Sequence, residues 1–282
     1  MVRSPSPTLR RRELAARLRD LRLDAGLTAD EVATRMLVSP AKISRIETGA
    51  RGVSLRDVRD LCGIYGADAA EREHLATLVR ESKKPSWWQQ YDLPYATFVG
   101  LESSAATILD YESSLIPGLL QTEDYAWAVT EGILCDAAPE VVQQQVETRL
   151  TRQQRVLHHD TGPQLWTVID EAALHRVVGS PGVMSGQLEA LVEHSALPNV
   201  TVQVVPFEAG AHPGMDSTFI LLHLEEDVSD VVYIEGLVGN LYQESPADLA
   251  RYRRAFDQLR AIALSPKESL ARISAVAKLH AG

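Results

Sequence analysis

Apolar residues recur at helical spacing through the first 80 or so positions, and strand-like alternation appears only in the second half. Leu14, Leu18 and Leu21 mark one face of a first helix over about 10–24, and Gly26 ends it. Thr28 is placed to cap a second helix, with Glu31 at capping-box spacing and Val32, Ala33 and Met36 on the inner face. A third helix starts at once. Ser39 caps it, Pro40 takes the first helical position, Ile43 and Ile46 point inward, and Gly49 suits a left-handed stop. Ser54 opens a fourth helix with Leu55, Val58, Leu61, Cys62 and Tyr65 inward and Gly66 at its end. Asp68 and Glu71 open a fifth, which packs Leu75, Leu78 and Val79. The first eight residues read as a short disordered lead to an all-α bundle.

The pattern after residue 84 predicts an α+β domain, a small sheet flanked by helices. Helices are expected over 98–111, 123–132, 139–158 and 183–196, and again over 246–261 and 266–279. Strands are expected at 165–169, 200–205, 218–222 and 231–235. The segment Glu81-Ser-Lys-Lys-Pro-Ser86 reads as a linker between domains 1–84 and 85–282. Trp87 and Trp88 follow it, either as ordinary core or as an anchor for the first domain or a twin subunit.

The outward side of the third helix carries the chemistry of base readout. Arg45 can donate two hydrogen bonds to a guanine edge, Lys42 can do so more loosely, and Ala41 beside Pro40 offers apolar contact to a thymine methyl. Arg10, Thr28, Ser39, Ser44 and Arg51 are the candidate phosphate contacts. Charge agrees once the chain is divided. The whole chain carries −10, but residues 1–84 hold 17 Lys+Arg against 12 Asp+Glu and residues 85–282 hold 11 against 26. A basic head on an acidic body favours docking on DNA through one end.

Residues 9–80 resemble the helix-turn-helix of the Xre/Cro repressor family through Leu27-Thr28, Glu31, Ala33, Val38-Ser39, Ile43-Ser44, Ile46-Glu47 and Gly49. Ala29 stands where that family usually has Gln, and Leu37 where it usually has Gly in the turn. The second half resembles the regulatory domain that follows such a head in a family widespread among actinomycete bacteria. Trp87-Trp88, Ile116-Pro-Gly-Leu-Leu-Gln-Thr122, Arg152-Gln153, Asp170-Glu-Ala-Ala-Leu174, Val205-Pro-Phe207, Tyr233-Ile-Glu235 and Ala263-Leu-Ser265 carry that likeness. The resemblance implies an antitoxin-like transcriptional regulator, often paired with a small protein encoded beside it, and no settled ligand.

Little else in the chain suggests chemistry. There is no His-Glu-x-x-His helix and no Gly-x-Ser-x-Gly elbow, so no enzyme, metal or cofactor is expected. His158-His159-Asp160 reads as a surface helix end, and Cys62 and Cys135 lack metal-ligand spacing. Glu171 and His175, four apart, permit an ion pair or a metal site. Glu235, ending an apolar strand, could take a ligand's amine or a partner's Arg, or simply face solvent. Gly210-Ala-His-Pro-Gly214 reads as a flexible loop beside the sheet. No apolar run approaches the ~20 residues of a membrane span, and the N-terminus lacks a signal-peptide core. The expectation is a cytoplasmic, nucleoid-associated homodimeric repressor on double-stranded DNA. A small partner protein and a small-molecule effector remain open as further partners.

Overall fold

The computed structural model describes residues 5–91, 93–157, 162–224 and 228–282. His158, His159 and Asp160 lie outside these residues. The chain divides into two compact units, one running up to Ser104 and the other from Ala105 onward.

The first unit contains α1 (Pro7–Asp24), α2 (Ala29–Arg35), α3 (Pro40–Glu47), α4 (Leu55–Tyr65), α5 (Ala69–Glu81) and α6 (Ala96–Glu102). Its starts are set by side-chain caps. Ser6, Thr28, Ser39, Ser54 and Asp68 each accept a backbone N–H from the first turn that follows. Leu14, Leu18, Val32, Ala33, Ile43, Ile46, Val58, Leu61, Cys62, Leu75 and Leu78 form one core. Leu55 points outward instead, because it directly follows the cap and lies 43% exposed.

The expected disordered lead is corrected from Pro5 onward. Ser6 is buried, caps α1 and donates its hydroxyl to Gly100 O, while its N–H donates to Ser104 Oγ. Gly100 lets α1 and α6 meet, since a Cβ there would lie 2.2 Å from Thr8 Oγ1. Trp88 is buried with Leu93 and Val99, and Trp87 meets it edge-on at 5.8 Å. This aromatic cluster is core of the first unit, which therefore extends well past the basic 81–86 stretch.

The second unit begins with β1 (Thr107–Glu112), α7 (Glu123–Ile133) and α8 (Pro139–Leu157). It continues through β2 (Gln164–Asp170), α9 (Glu171–His175), α10 (Pro181–His194) and β3 (Val200–Val205). Then come β4 (Phe219–His223), β5 (Val231–Gly236), β6 (Gly239–Gln243), α11 (Pro246–Ile262) and α12 (Pro266–Ala281). Among the described residues these strands form one mixed sheet in the order β3-β2-β1-β4-β5-β6. The β3-β2-β1 part is parallel, and β4, β5 and β6 add antiparallel pairings.

The helix expected over 98–111 is corrected. It breaks into α6, a turn at Ser103-Ser104 and β1. Ile108 and Tyr111 are both fully buried on opposite faces, because β1 lies in mid-sheet with side chains covered on both sides. Such a strand loses the alternation that would reveal it. One face carries Tyr111, Val168, Phe219, Leu221 and Val232 against Leu249, Phe256 and Leu259 of α11.

Candidate nucleic-acid interface

The α2–turn–α3 segment is held from beneath. Ile43 and Ile46 are buried, as are Val32 and Ala33 on α2. At its far end, Glu47 receives a two-pronged bond from Arg22, Nε at 2.7 Å and Nη2 at 2.9 Å. Arg22 Nη1 also donates to Leu27 O at 2.7 Å. Both side chains are largely buried, and the Glu47 bond holds Arg22 more firmly protonated against the opposing effect of burial. This pair fixes the end of α3 to the end of α1.

The turn carries the strain that its residue implies. Leu37 adopts φ 55° and is 92% exposed, so its side chain contributes little burial to offset the left-handed backbone. Val38 N–H donates to Ala33 O and closes the turn. Replacing Leu37 with Gly should raise stability by up to about 1 kcal/mol in denaturant unfolding, with α3 unmoved. Loss of stability would show that Leu37 packs in a way its exposure denies.

On the outward side, Pro40, Ala41, Ser44 and Arg45 are exposed. Among the described residues Arg45 is held only by its own helix, Nε donating to Ala41 O at 3.2 Å, and its side chain is exposed. Ser39 is exposed, and its oxygen caps Lys42 N–H at 3.3 Å. Lys42 pairs with Asp57 at 3.0 Å and would have to leave it to reach a base. Burial alone would raise the Asp57 carboxyl, but bonds from Ser54 and Lys42 overcome that and hold it below its ordinary range.

The expected phosphate contacts differ from one another. Arg51 lies exposed in the loop after α3, its N–H donating to Arg45 O. Thr28 is committed to the capping box, donating its hydroxyl to Glu31. Arg10 is engaged by Glu13 and Glu81, so its charge is already matched within the bundle. Sequence reasoning overlooked Arg56 and Arg59 at the start of α4. The Lys42–Asp57 pair ties α3 to that start. Arg45, Arg51, Arg56 and Arg59 are all exposed, and none forms an ion pair with a described carboxylate. The signal available earlier was the cap at Ser54, which fixes where Arg56 and Arg59 fall.

Residues 13–75 match the family described as a helix-turn-helix domain. Residues 95–275 match the family described as a domain of unknown function, DUF5753. The chain belongs to the DUF5753 family. As a DUF5753 protein headed by a helix-turn-helix, it has the architecture of a DNA-binding regulator. No curated protein and no solved structure matches the chain. Among the described residues no helix is long and apolar enough to cross a membrane.

The residues singled out in the DUF5753 part are placed as follows. Glu171 is buried and fully used. It accepts Phe207 N–H at 2.9 Å, pairs with Arg272 of α12 and meets His175 at 3.5 Å. Burial would raise its carboxyl, but the Phe207 and Arg272 bonds win and lower it. That is a clamp between α9, the turn after β3 and α12, with both carboxylate oxygens engaged. The 210–214 loop is pinned rather than flexible. His212 Nε2–H donates to Asp170 Oδ2 at 3.1 Å, and its Nδ1 accepts Gly214 N–H at 3.3 Å. Glu235 is exposed at the end of β5.

Proposed function

We propose that this chain is a sequence-specific transcriptional regulator, a repressor acting in the cytoplasm at the nucleoid as a homodimer. In this reading α3 enters the major groove. Pro40, Ala41, Lys42 and Arg45 face the bases, while Ser39, Ser44, Arg51, Arg56 and Arg59 hold the phosphates. The DUF5753 part receives a signal and performs no catalysis of its own. A dimer would read two half-sites about one helical turn apart. One observation carries this: exposed Arg45, Arg51, Arg56 and Arg59, on α3, the loop after it and the start of α4, pair with no described carboxylate, and α3 itself is a capped helix whose inner face is locked in place.

The experiment compares two substitutions by fluorescence anisotropy over a range of salt. Arg45→Ala should cost about 1–3 kcal/mol and relax one base preference. Arg51→Ala should weaken all duplexes alike and flatten the salt slope by about one. Indistinguishable behaviour of the two would sink the assignment of readout to α3.

A second reading adds an antitoxin-like role, in which the same chain grips and neutralises a small partner protein. Leu237 and Val238 at the tip of the β5–β6 hairpin are 98% and 99% exposed, and Leu241 on edge strand β6 is 57% exposed. An edge strand with exposed apolar residues at its hairpin tip favours strand addition by a partner. A small protein should then co-purify with the native chain and be lost on Leu237→Asp. Equal recovery with both would remove this surface from the account.

A further inference from the structure

We propose that Asp57 is a specificity-determining residue of the DNA interface: it withholds Lys42 from the bases, so that the native chain reads one position strongly through Arg45 and the position beside it only faintly. This deepens the regulator reading and rests on it for the docking of α3.

The pair joins the first turns of two helices. Lys42 is the third residue of α3 and Asp57 the third of α4, and Lys42 Nζ donates to Asp57 Oδ1 at 3.0 Å. A cation in the first turn of a helix meets the positive end of the helix dipole, whereas an anion there is favoured. Lys42 therefore sits at the wrong end of α3 for its charge, and Asp57 offsets this from α4.

Asp57 is anchored independently of Lys42. The Ser54 hydroxyl donates to Asp57 Oδ2 at 2.7 Å, and Ser54 N–H reaches the same oxygen at 3.3 Å. Asp57 N–H donates in turn to Ser54 Oγ at 3.0 Å. The carboxylate is thus already ordered, and the pair forms without the entropy cost of fixing it. Lys42 and Asp57 are only 21% and 25% exposed. When Lys42 departs, the Ser54 bonds hold the carboxylate in place, an anion left uncompensated at the edge of the interface.

The two cations of α3 therefore start from different positions. Arg45 is exposed, pairs with no described carboxylate and brings guanine two parallel N–H donors. Lys42 brings a single rotating ammonium and must first give up Asp57. An ion pair of this kind contributes up to about fivefold. A competitor subtracts the same amount from every base that Lys42 can take, so it flattens the preference at that position. The contact is also one that can open. Arg22 and Glu47, at the other end of α3, share two bonds and are 11% and 7% exposed, whereas Lys42 and Asp57 share one bond.

The test uses the full chain. Duplexes are selected from a random pool by the native protein and by Asp57→Asn, and affinity for the native-selected duplex and a scrambled duplex is measured by anisotropy over a range of salt. Asp57→Asn should bind both duplexes about three- to fivefold more tightly, with a salt slope steeper by up to about one. Its selected motif should gain a guanine within about one or two base pairs of the one that Arg45 reads, because three helical residues advance ~4.5 Å. Lys42→Gln should weaken native binding only about twofold, against fivefold or more for Arg45→Ala. In the Lys42→Gln background, Asp57→Asn should add no base preference.

Weaker binding by Asp57→Asn at an unchanged melting temperature would make the pair a strut for α3 and overturn the inference. So would an unchanged motif. A loss on Lys42→Gln as large as that on Arg45→Ala would overturn it too, since Lys42 would already be on a base; that variant decides the matter even if Asp57→Asn folds poorly. If Arg45→Ala loses its guanine while Asp57→Asn behaves as the native chain, the regulator reading stands and this inference alone falls. If neither the native chain nor Asp57→Asn retains any duplex, both fall.

Discussion

Glu47→Ala should unfold the helix-turn-helix more readily than any surface substitution around it, with a loss of about 3–5 kcal/mol. The substitution removes the partner of Arg22 and strands a guanidinium whose side chain is only 11% exposed. Arg22 keeps its bond to Leu27 O, which satisfies one nitrogen and none of the charge. Tyr65 lies close enough for its hydroxyl to feel both members of the pair, so the disturbance reaches α4. Urea unfolding followed by helical circular dichroism measures the loss. Swapping both residues, Arg22→Leu with Glu47→Leu, should recover much of it, because a matched apolar pair leaves no stranded charge. If Glu47→Ala cost no more than an exposed ion pair, α3 would not be fixed at its far end and its presentation to DNA would need another explanation.

Gly214→Ala should destabilise the DUF5753 unit by about 3 kcal/mol, at the upper end of overpacking. A Cβ at that position would lie 2.2 Å from Cζ and 2.3 Å from Cε1 of the Tyr111 ring. The ring cannot retreat, since Tyr111 is fully buried in mid-sheet, 5.9 Å from Phe219 and 6.1 Å from His212 between ring centroids. Nor can the loop lift freely, because His212 anchors it to Asp170 and Asp170 caps α9 through Ala172 N–H. Gly132→Ala and Gly186→Ala are the controls. Each lies within a helix, α7 or α10, and a Cβ there meets nothing within 4 Å. Both should be neutral or stabilising by up to about 1 kcal/mol. Equal melting temperatures for Gly214→Ala and the controls would mean that the loop is as free as its composition suggests.

The helix-turn-helix was legible because its rules are local. Thr28, Ser39, Ser54 and Asp68 are caps that act within three residues, and the structure uses each of them. Leu37 announced the turn's strain in the same way. Interactions across long separations were not legible. Arg10 and Lys42 look like free cations in sequence, and only folding brings Glu81 and Asp57 to them. Glu171 and His175 permitted an ion pair or a metal site in sequence, and nothing local announced Arg272, about a hundred positions later, closing on Glu171. Strand β1 was hidden because burial on both faces erases its period, and β6 because a five-residue edge strand starting at Gly239 has little pattern to show.

The most direct measurement of the central claim is selection of bound duplexes from a random pool at physiological salt, run in parallel with the native chain and with Arg45→Ala. The account predicts that the native chain enriches paired half-sites about one helical turn apart, and that Arg45→Ala loses preference at one guanine in each half while keeping the spacing. Failure to enrich any motif, or an identical motif from both proteins, would contradict the claim that α3 reads DNA.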